Sequence, residues 1–285
     1  MSKPFTPAMR ERVQELLTIF KLPTLSAELV RRFEKAEEHD ALPLLLEVLE
    51  LEAGDRRERR VERLTRASKL PPGKTFDTFQ DPRLPRSLSQ QLRDLATGHF
   101  IDRATNVLAF GLPGVGKTHA ACALGHALVH AGRSVLFMPT YQIVQELLVA
   151  KRDLELPRAL RRLDVFDLLI LDDIGYVQQG PDEVEVLFTL MAERYERRSM
   201  LITSNLVFSE WERIFKNPMT TAAAIDRLVH HSVILEFDVP SYRAEDARSR
   251  VPKSNGPTKE MEERKEGKDE EKKTSKRAAR ASANV

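Results

Sequence analysis

Apolar residues recur along the chain with two periods, and the switch between them divides it. From about residue 8 to 69 the spacing is helical. Val13, Leu16, Leu17 and Phe20 share one face, and Leu25, Leu29, Phe33 and Ala36 share another. Thr24 is placed to cap the second of these helices, and "LPLLLEVLELEAG" gives a third that ends near Gly54. "DRRERRVERLTRASK" then reads as a separate basic helix, with seven basic and two acidic residues over 56–69. "LPPGKTFDTF" at 70–79 breaks the pattern with Pro-Pro-Gly and reads as a linker.

From Ser87 short apolar runs alternate with helical stretches, beginning with an amphipathic helix over 88–100. The predicted strands are "NVLAF" (106–110), "SVLFM" (134–138), "FDLLILD" (166–172), "MLITS" (200–204) and "VILEF" (233–237). Between them lie helices from Lys117, from a Thr140 cap to Lys151, through "LPRALRRL", over 182–198, and through "AAAIDRLVHH". Such alternation predicts an α/β fold, a parallel sheet flanked by helices, with a small all-α domain before it. The expected boundaries are a helical N-terminal domain at 1–69, a linker at 70–86, an α/β domain at 87–243 and a charged tail at 244–285. The tail lacks apolar periodicity and is expected to be disordered.

Composition changes this picture only in part. The net charge of +2 gives no global attraction to nucleic acid, so any such case must rest on local patches. The lone Cys122 excludes an intramolecular disulfide and a multi-cysteine zinc cluster, and fits a reducing compartment. The longest apolar runs fall far short of the ~20 residues of a membrane span. The start, "MSKPFTPAMRERVQELL", has no apolar core of a secretion signal. These features predict a cytoplasmic protein with no membrane partner.

The chemistry begins at "GLPGVGKTH", residues 111–119, which matches the phosphate-binding pattern G-x-x-x-x-G-K-[ST]. It follows a predicted strand and opens a predicted helix, where backbone N–H groups can wrap phosphates. Gly111, Pro113, Gly114, Val115, Gly116, Lys117, Thr118 and His119 are the candidate nucleotide contacts. Lys117 would neutralise phosphate charge, and the Thr118 hydroxyl would join a magnesium shell. "DLLILDD" ends a buried strand on two acids. Asp172 would hold Mg2+, and Asp173 could orient or deprotonate an attacking water. Adjacent carboxylates of this kind point to hydrolysis rather than to a metabolite kinase. Asn205 ends the next strand, as either a γ-phosphate or water contact or a simple turn residue. Without an N-K-x-D guanine-reading motif, ATP is the expected nucleotide. Phe76 or Phe79 could border the base, and core packing explains them equally well. His230 and His231 suggest a metal pair, but adjacent residues of a helix do not face each other and no partner lies at i+4.

The order "GLPGVGKT", "LLILDD", "LITSNL", "AAIDRL" resembles the DnaA/DnaC-related branch of AAA+ ATPases. "DLLILDDIGYV", "LITSNLVFSEW" and "AIDRLVHHSVILE" bring it closest to the IstB family, ATP-binding helpers of a transposase in one group of bacterial insertion sequences. The likeness covers roughly residues 10–243 and implies a P-loop NTPase fold of AAA+ type. It implies a homo-oligomer in which an arginine reaches the neighbour's γ-phosphate, and Arg227 stands at that position. Arg243 in "PSYR" stands where a second phosphate-sensing arginine would lie. Asp173 departs from the Glu usual at its position. Duplex DNA and a transposase are the implied partners; a DnaC-like helicase loader is the alternative within the same fold. For DNA, the branch inserts a helical element between two strands, here "LLVAKRDLELPRALRRL". Lys151, Arg152, Arg158, Arg161 and Arg162 could line a phosphate backbone there, with surface ion pairs as the competing explanation.

Overall fold

The structure, a computed structural model, describes residues 6–35, 41–79, 84–175, 180–215 and 218–242. Arg243 and the charged tail lie outside the described residues. The chain opens with α1 (Pro7–Ile19), α2 (Pro23–Lys35) and α3 (Ala41–Ser68). The Thr6 hydroxyl caps α1 by accepting from the Met9 N–H at 3.3 Å. Val13 and Leu17 of α1 pack with Val30 of α2 and with Leu46 and Leu49 of α3. Two expectations for α2 are corrected. The helix starts at Pro23, whose missing N–H suits a first turn, so Thr24 lies inside it. Its fully buried residue is Val30; of the expected face, Leu29 packs partly buried against the same cluster, Leu25 is exposed and Ala36 lies outside the described residues.

The third helix and the basic helix are one, because α3 continues through Gly54 for 28 residues. A single helical glycine costs about 1 kcal/mol. Here Arg56 and Arg59 reach back across the position to Glu52, at 2.5 and 3.6 Å. The far half of α3 packs Val61 and Leu64 onto the α/β core, and the Arg60 guanidinium donates to the Gly132 carbonyl at 3.0 Å.

The sheet holds β1 (Asn106–Gly111), β2 (Val135–Pro139), β3 (Leu168–Asp172), β4 (Ser199–Ser204) and β5 (Ser232–Phe237). Their order is β2-β3-β4-β1-β5, with every pairing parallel. One face is covered by α4 (Arg86–Ala96), α5 (His99–Asp102), α6 (Lys117–His130) and the end of α3. The other is covered by α7 (Thr140–Arg152), α8 (Leu156–Leu163), α9 (Pro181–Arg194), α10 (Glu212–Phe215) and α11 (Pro218–Val229). Strand side chains alternate accordingly: Val107 and Ala109 enter the first core, Leu108 and Phe110 the second. The helix expected over 88–100 is divided at Gly98, which adopts φ +81°.

α9 ends at Arg194 rather than Arg198, and Arg194 itself is the reason. Its side chain is only 1% exposed, and its guanidinium donates to the carbonyls of Leu163, Phe166 and Ser199, each at 3.0 Å. Burial pushes this guanidinium down to about 10, still charged at neutral pH. One side chain thus ties the end of α8 to the start of β4. Among the described residues, no helix is long and apolar enough to cross a membrane.

Candidate nucleotide-binding site

β1 enters the Gly-rich loop at Gly111, where φ is +152°. A Cβ there would lie 2.6 Å from the Phe237 carbonyl oxygen at the end of β5, so only glycine lets the two strand ends stay this close. Gly116, at φ +100°, turns the chain into α6. Val115 is buried in the core and Leu112 is 71% exposed, so the loop is pinned by one side chain and open at its tip. Pro113 has no N–H to offer a phosphate and can only shape the loop. Lys117, opening α6, lies across the loop mouth and donates to the carbonyls of Gly111 (2.7 Å) and Leu112 (2.9 Å).

The acids sit where parallel strands must deliver them, at the carboxyl end of β3. The Thr118 hydroxyl donates to both carboxylate oxygens of Asp172, at 2.9 and 3.2 Å. Thr203 of β4 donates to Asp172 Oδ1 at 2.7 Å and accepts from the Asp173 N–H at 2.8 Å. Thr140 does not cap α7: Pro139 holds that place, and the Thr140 hydroxyl donates to the Asp172 carbonyl at 3.0 Å. Asp173 takes φ +63°, a left-handed conformation that Asp tolerates better than most residues. The turn that follows β3 brings Gly175 against Asn205, where a Cβ would meet the amide oxygen at 2.4 Å. That oxygen, Asn205 Oδ1, is buried without a hydrogen-bond partner. Leaving such a group unpaired costs ~1–3 kcal/mol, and a donor placed beside it would recover that cost.

His119 faces the linker. Its Nε2 lies 3.1 Å from the Thr78 hydroxyl and 3.2 Å from the Thr75 carbonyl, and its ring packs on Phe79. Phe79 is buried and Phe76 packs against the same core, so core packing describes both. Cys122, one turn further along α6, is fully buried. Burial pushes its thiol up to about 12, with Asp172 adding to the shift and Lys74 opposing it. It is a core residue with no nucleophilic character.

Arg227 lies in the opposite layer from the Gly-rich helix. Its guanidinium donates back to the Ala223 carbonyl at 3.0 Å and rests 4.7 Å from the centre of the Phe188 ring. Of the basic candidates, Lys151 is held by Asp182 and Glu185 of α9, both at 2.9 Å, and these bonds raise its pKa. Arg152 pairs with Asp153 at 2.9 Å and Arg158 with Glu155 at 3.4 Å. Ion pairs therefore describe three of the five cations. Arg161 and Arg162 are exposed.

Sequence reasoning missed Thr203, Gly175 and the Thr140 contact. A hydroxyl two residues before Asn205 in an apolar strand was the available signal for the first. His230 and His231 also depart from expectation: α11 ends at Val229, so neither is inside a helix, and Glu196 from the turn after α9 lies 3.8 Å from His231 Nε2.

Comparison with known proteins places this geometry. The family described as IstB-like ATP binding protein matches residues 16–250. The chain belongs to that family. An insertion-sequence ATP-binding protein of Sinorhizobium fredii is 43% identical over 239 residues, covering 83% of this chain and 80% of the relative. One from Pseudomonas aeruginosa is 36% identical, covering 83% and 90%. Among solved structures, domain III of the Thermotoga maritima replication initiation protein DnaA aligns with a TM-score of 0.50 at 16% identity, covering 64% of this chain and 74% of that one. The IstB-like chain thus carries an AAA+ P-loop fold, and ATP is the nucleotide its family binds.

Proposed function

We propose that this protein is an Mg2+-dependent ATPase that assembles side by side on duplex DNA and recruits or stimulates the transposase of its insertion sequence. The observation that carries the hydrolytic part is the Thr118–Asp172–Thr203 network beside the unpaired Asn205 oxygen. A hydroxyl and a carboxylate converging at a helix N-terminus suit a hard cation with oxygen ligands. Thr118 and Asp172 would hold Mg2+, which when bound supplies charge neutralisation across the phosphates.

The chain's own residues do the rest. Backbone N–H groups of the loop through Thr118 grip the phosphates, and Lys117 leaves the loop carbonyls to follow the terminal phosphate. Asp173, held by Thr203, accepts a proton from the attacking water, while the Asn205 amide fixes that water's position. Arg227, in the opposite layer, completes a neighbour's site instead of its own, stabilising charge that grows in the transition state. Arg243 would sense the bound phosphate. Arg161 and Arg162, with Arg152 and Arg158 once their weak exposed pairs exchange for phosphates, would track DNA in a sequence-tolerant, salt-sensitive way. Lys151, doubly paired, contributes least. Leu44, Val48 and Leu51 leave an exposed apolar stripe along α3, a surface for the protein partner.

Electron microscopy of the purified protein with duplex DNA and a non-hydrolysable ATP analogue tests the assembly. Ordered oligomers on DNA are expected only with nucleotide. A protein that stays monomeric and indifferent to DNA would overturn the assembly.

A further inference from the structure

At the opposite end of the sheet from the phosphate loop, two turns meet. One follows α9 and carries Tyr195 and Glu196; the other follows α11 and carries His230 and His231. One potential ligand atom from each of Glu196, His230 and His231 lies within 4.8 Å of the other two. The His230 and His231 rings stand 4.3 Å apart, and the Glu196 carboxylate lies 3.8 Å from His231 Nε2. We propose that these three side chains form a surface site for a divalent transition metal of the Zn2+, Ni2+ or Cu2+ class.

Three features of the surroundings favour a built site over a chance meeting of exposed groups. First, the backbones beneath it are fixed by one buried residue, Asn106 at the start of β1. Its N–H donates to the His231 carbonyl at 2.8 Å, and its amide nitrogen donates to the Leu228 carbonyl at 3.4 Å. Its amide oxygen accepts from the Met200 N–H at 2.9 Å, just beyond the turn that bears Glu196. The backbone and side chain of this one residue thereby tie the turn after α11 to the strand that follows the turn bearing Glu196. Second, the Tyr195 hydroxyl shares a hydrogen bond with His230 Nδ1 at 3.1 Å. A bond of this kind at one ring nitrogen orients a ligating imidazole and presents the other nitrogen to a metal. Third, Glu196 takes φ +56°, a left-handed turn conformation that is uncommon for Glu and carries its side chain toward the histidines.

The donor set selects the ion. Two imidazoles and one carboxylate suit borderline metals, whereas Mg2+ and Ca2+ take oxygen ligands. Metal–ligand distances of ~2.0–2.2 Å require the three groups to close by about an ångström, a small movement for exposed side chains. Three protein donors leave a fourth position for water or for a donor from another molecule. The site is separate from Thr118 and Asp172, since β1 spans its six residues between them, roughly 20 Å at ~3.3 Å per residue. A bound metal would staple the turn before β4 to the foot of α11, the helix that carries Arg227.

The test is Zn2+ titration of the full-length protein against a competing chelator, with Co2+ absorption as an independent readout. An Asp172→Asn background removes the magnesium pair from the count. One site is expected in this background; adding His230→Ala with His231→Ala abolishes it, and adding Glu196→Gln weakens it at least about tenfold, the loss associated with a disrupted metal site. Zn2+ should also raise the melting temperature of the wild type but not of the double variant. Because all three side chains are exposed, removing them should leave the metal-free melting temperature equal to that of the parent protein, wild type or Asp172→Asn. Identical stoichiometry and affinity with and without the histidines would overturn the assignment. Equal Zn2+ protection of wild type and Glu196→Gln would remove Glu196 from the ligand set and overturn the site as stated.

Discussion

Thr203 holds together two residues that chemistry asks to behave differently. It donates to Asp172, fixing one carboxylate, and it accepts from the backbone of Asp173, fixing the left-handed turn that aims the next. Thr203→Val keeps the shape and the strand propensity and removes both bonds, each worth ~0.5–1.5 kcal/mol. ATP affinity, measured by equilibrium binding, should change by no more than a few fold. The steady-state kcat should fall about tenfold or more, the effect of ~1.4 kcal/mol on the barrier. An unchanged kcat would show that Asp173 needs no such restraint. The same residue marks how far the site could be read from sequence. Gly111, Gly116, Lys117, Thr118 and Asp172 could be proposed from sequence because phosphate and cation chemistry asks for those residue types at fixed spacing beside a strand end, and the structure gathers them there. Thr203 was not, because threonine in a strand is ordinary. Its role appears only once β3 and β4 are paired in register. The unpaired oxygen of Asn205 and its fit against Gly175 likewise depend on a contact between separate loops.

Elements were legible wherever the apolar period was unbroken, and boundaries failed where a tertiary contact overrode a local signal. All five strands stand where apolar runs placed them: β1 to β4 are buried on both faces, whereas β5, at the sheet edge, buries Leu235 and Phe237 and leaves Ile234 and Glu236 exposed. Two boundaries moved for reasons that sequence does not display: α9 stops where Arg194 turns inward to collect three carbonyls, and α3 does not stop at Gly54 at all. Glycine at position 54 reads as a terminator, yet the flanking Glu52–Arg56 pair and packing at both ends of the helix carry it through. This gives a quantitative expectation. Nothing lies within 4 Å of a Cβ built on Gly54. Gly54→Ala should therefore stabilise the protein by ~0.5–1 kcal/mol through helix propensity alone. A urea melt should show a higher midpoint with an unchanged slope. A destabilised variant would mean that α3 bends or opens at this glycine and is not a continuous strut.

At the scale of the molecule, the residues proposed to act on ATP fall into two separate groups. Lys117, Thr118 and Asp172 gather at the strand ends, while Arg227 lies in the other helical layer, resting on Phe188. The proposed role of Arg227 is therefore on a neighbouring copy, in a head-to-tail interface where the two surfaces differ. Subunit mixing tests this directly. Lys117→Ala removes the phosphate grip and leaves the arginine; Arg227→Ala does the reverse. Each variant alone, on duplex DNA, should lose ~10³-fold or more of its ATPase rate. Mixed in equal parts, they create interfaces in which an intact Lys117 faces an intact Arg227. Random assembly makes these about a quarter of all interfaces, so activity should rise to about that fraction of wild type. The rise should vanish when either variant is in large excess. If the mixture assembles on DNA but stays as inactive as its parts, Arg227 does not act between subunits. The Gly-rich loop would then serve a site that one chain completes alone.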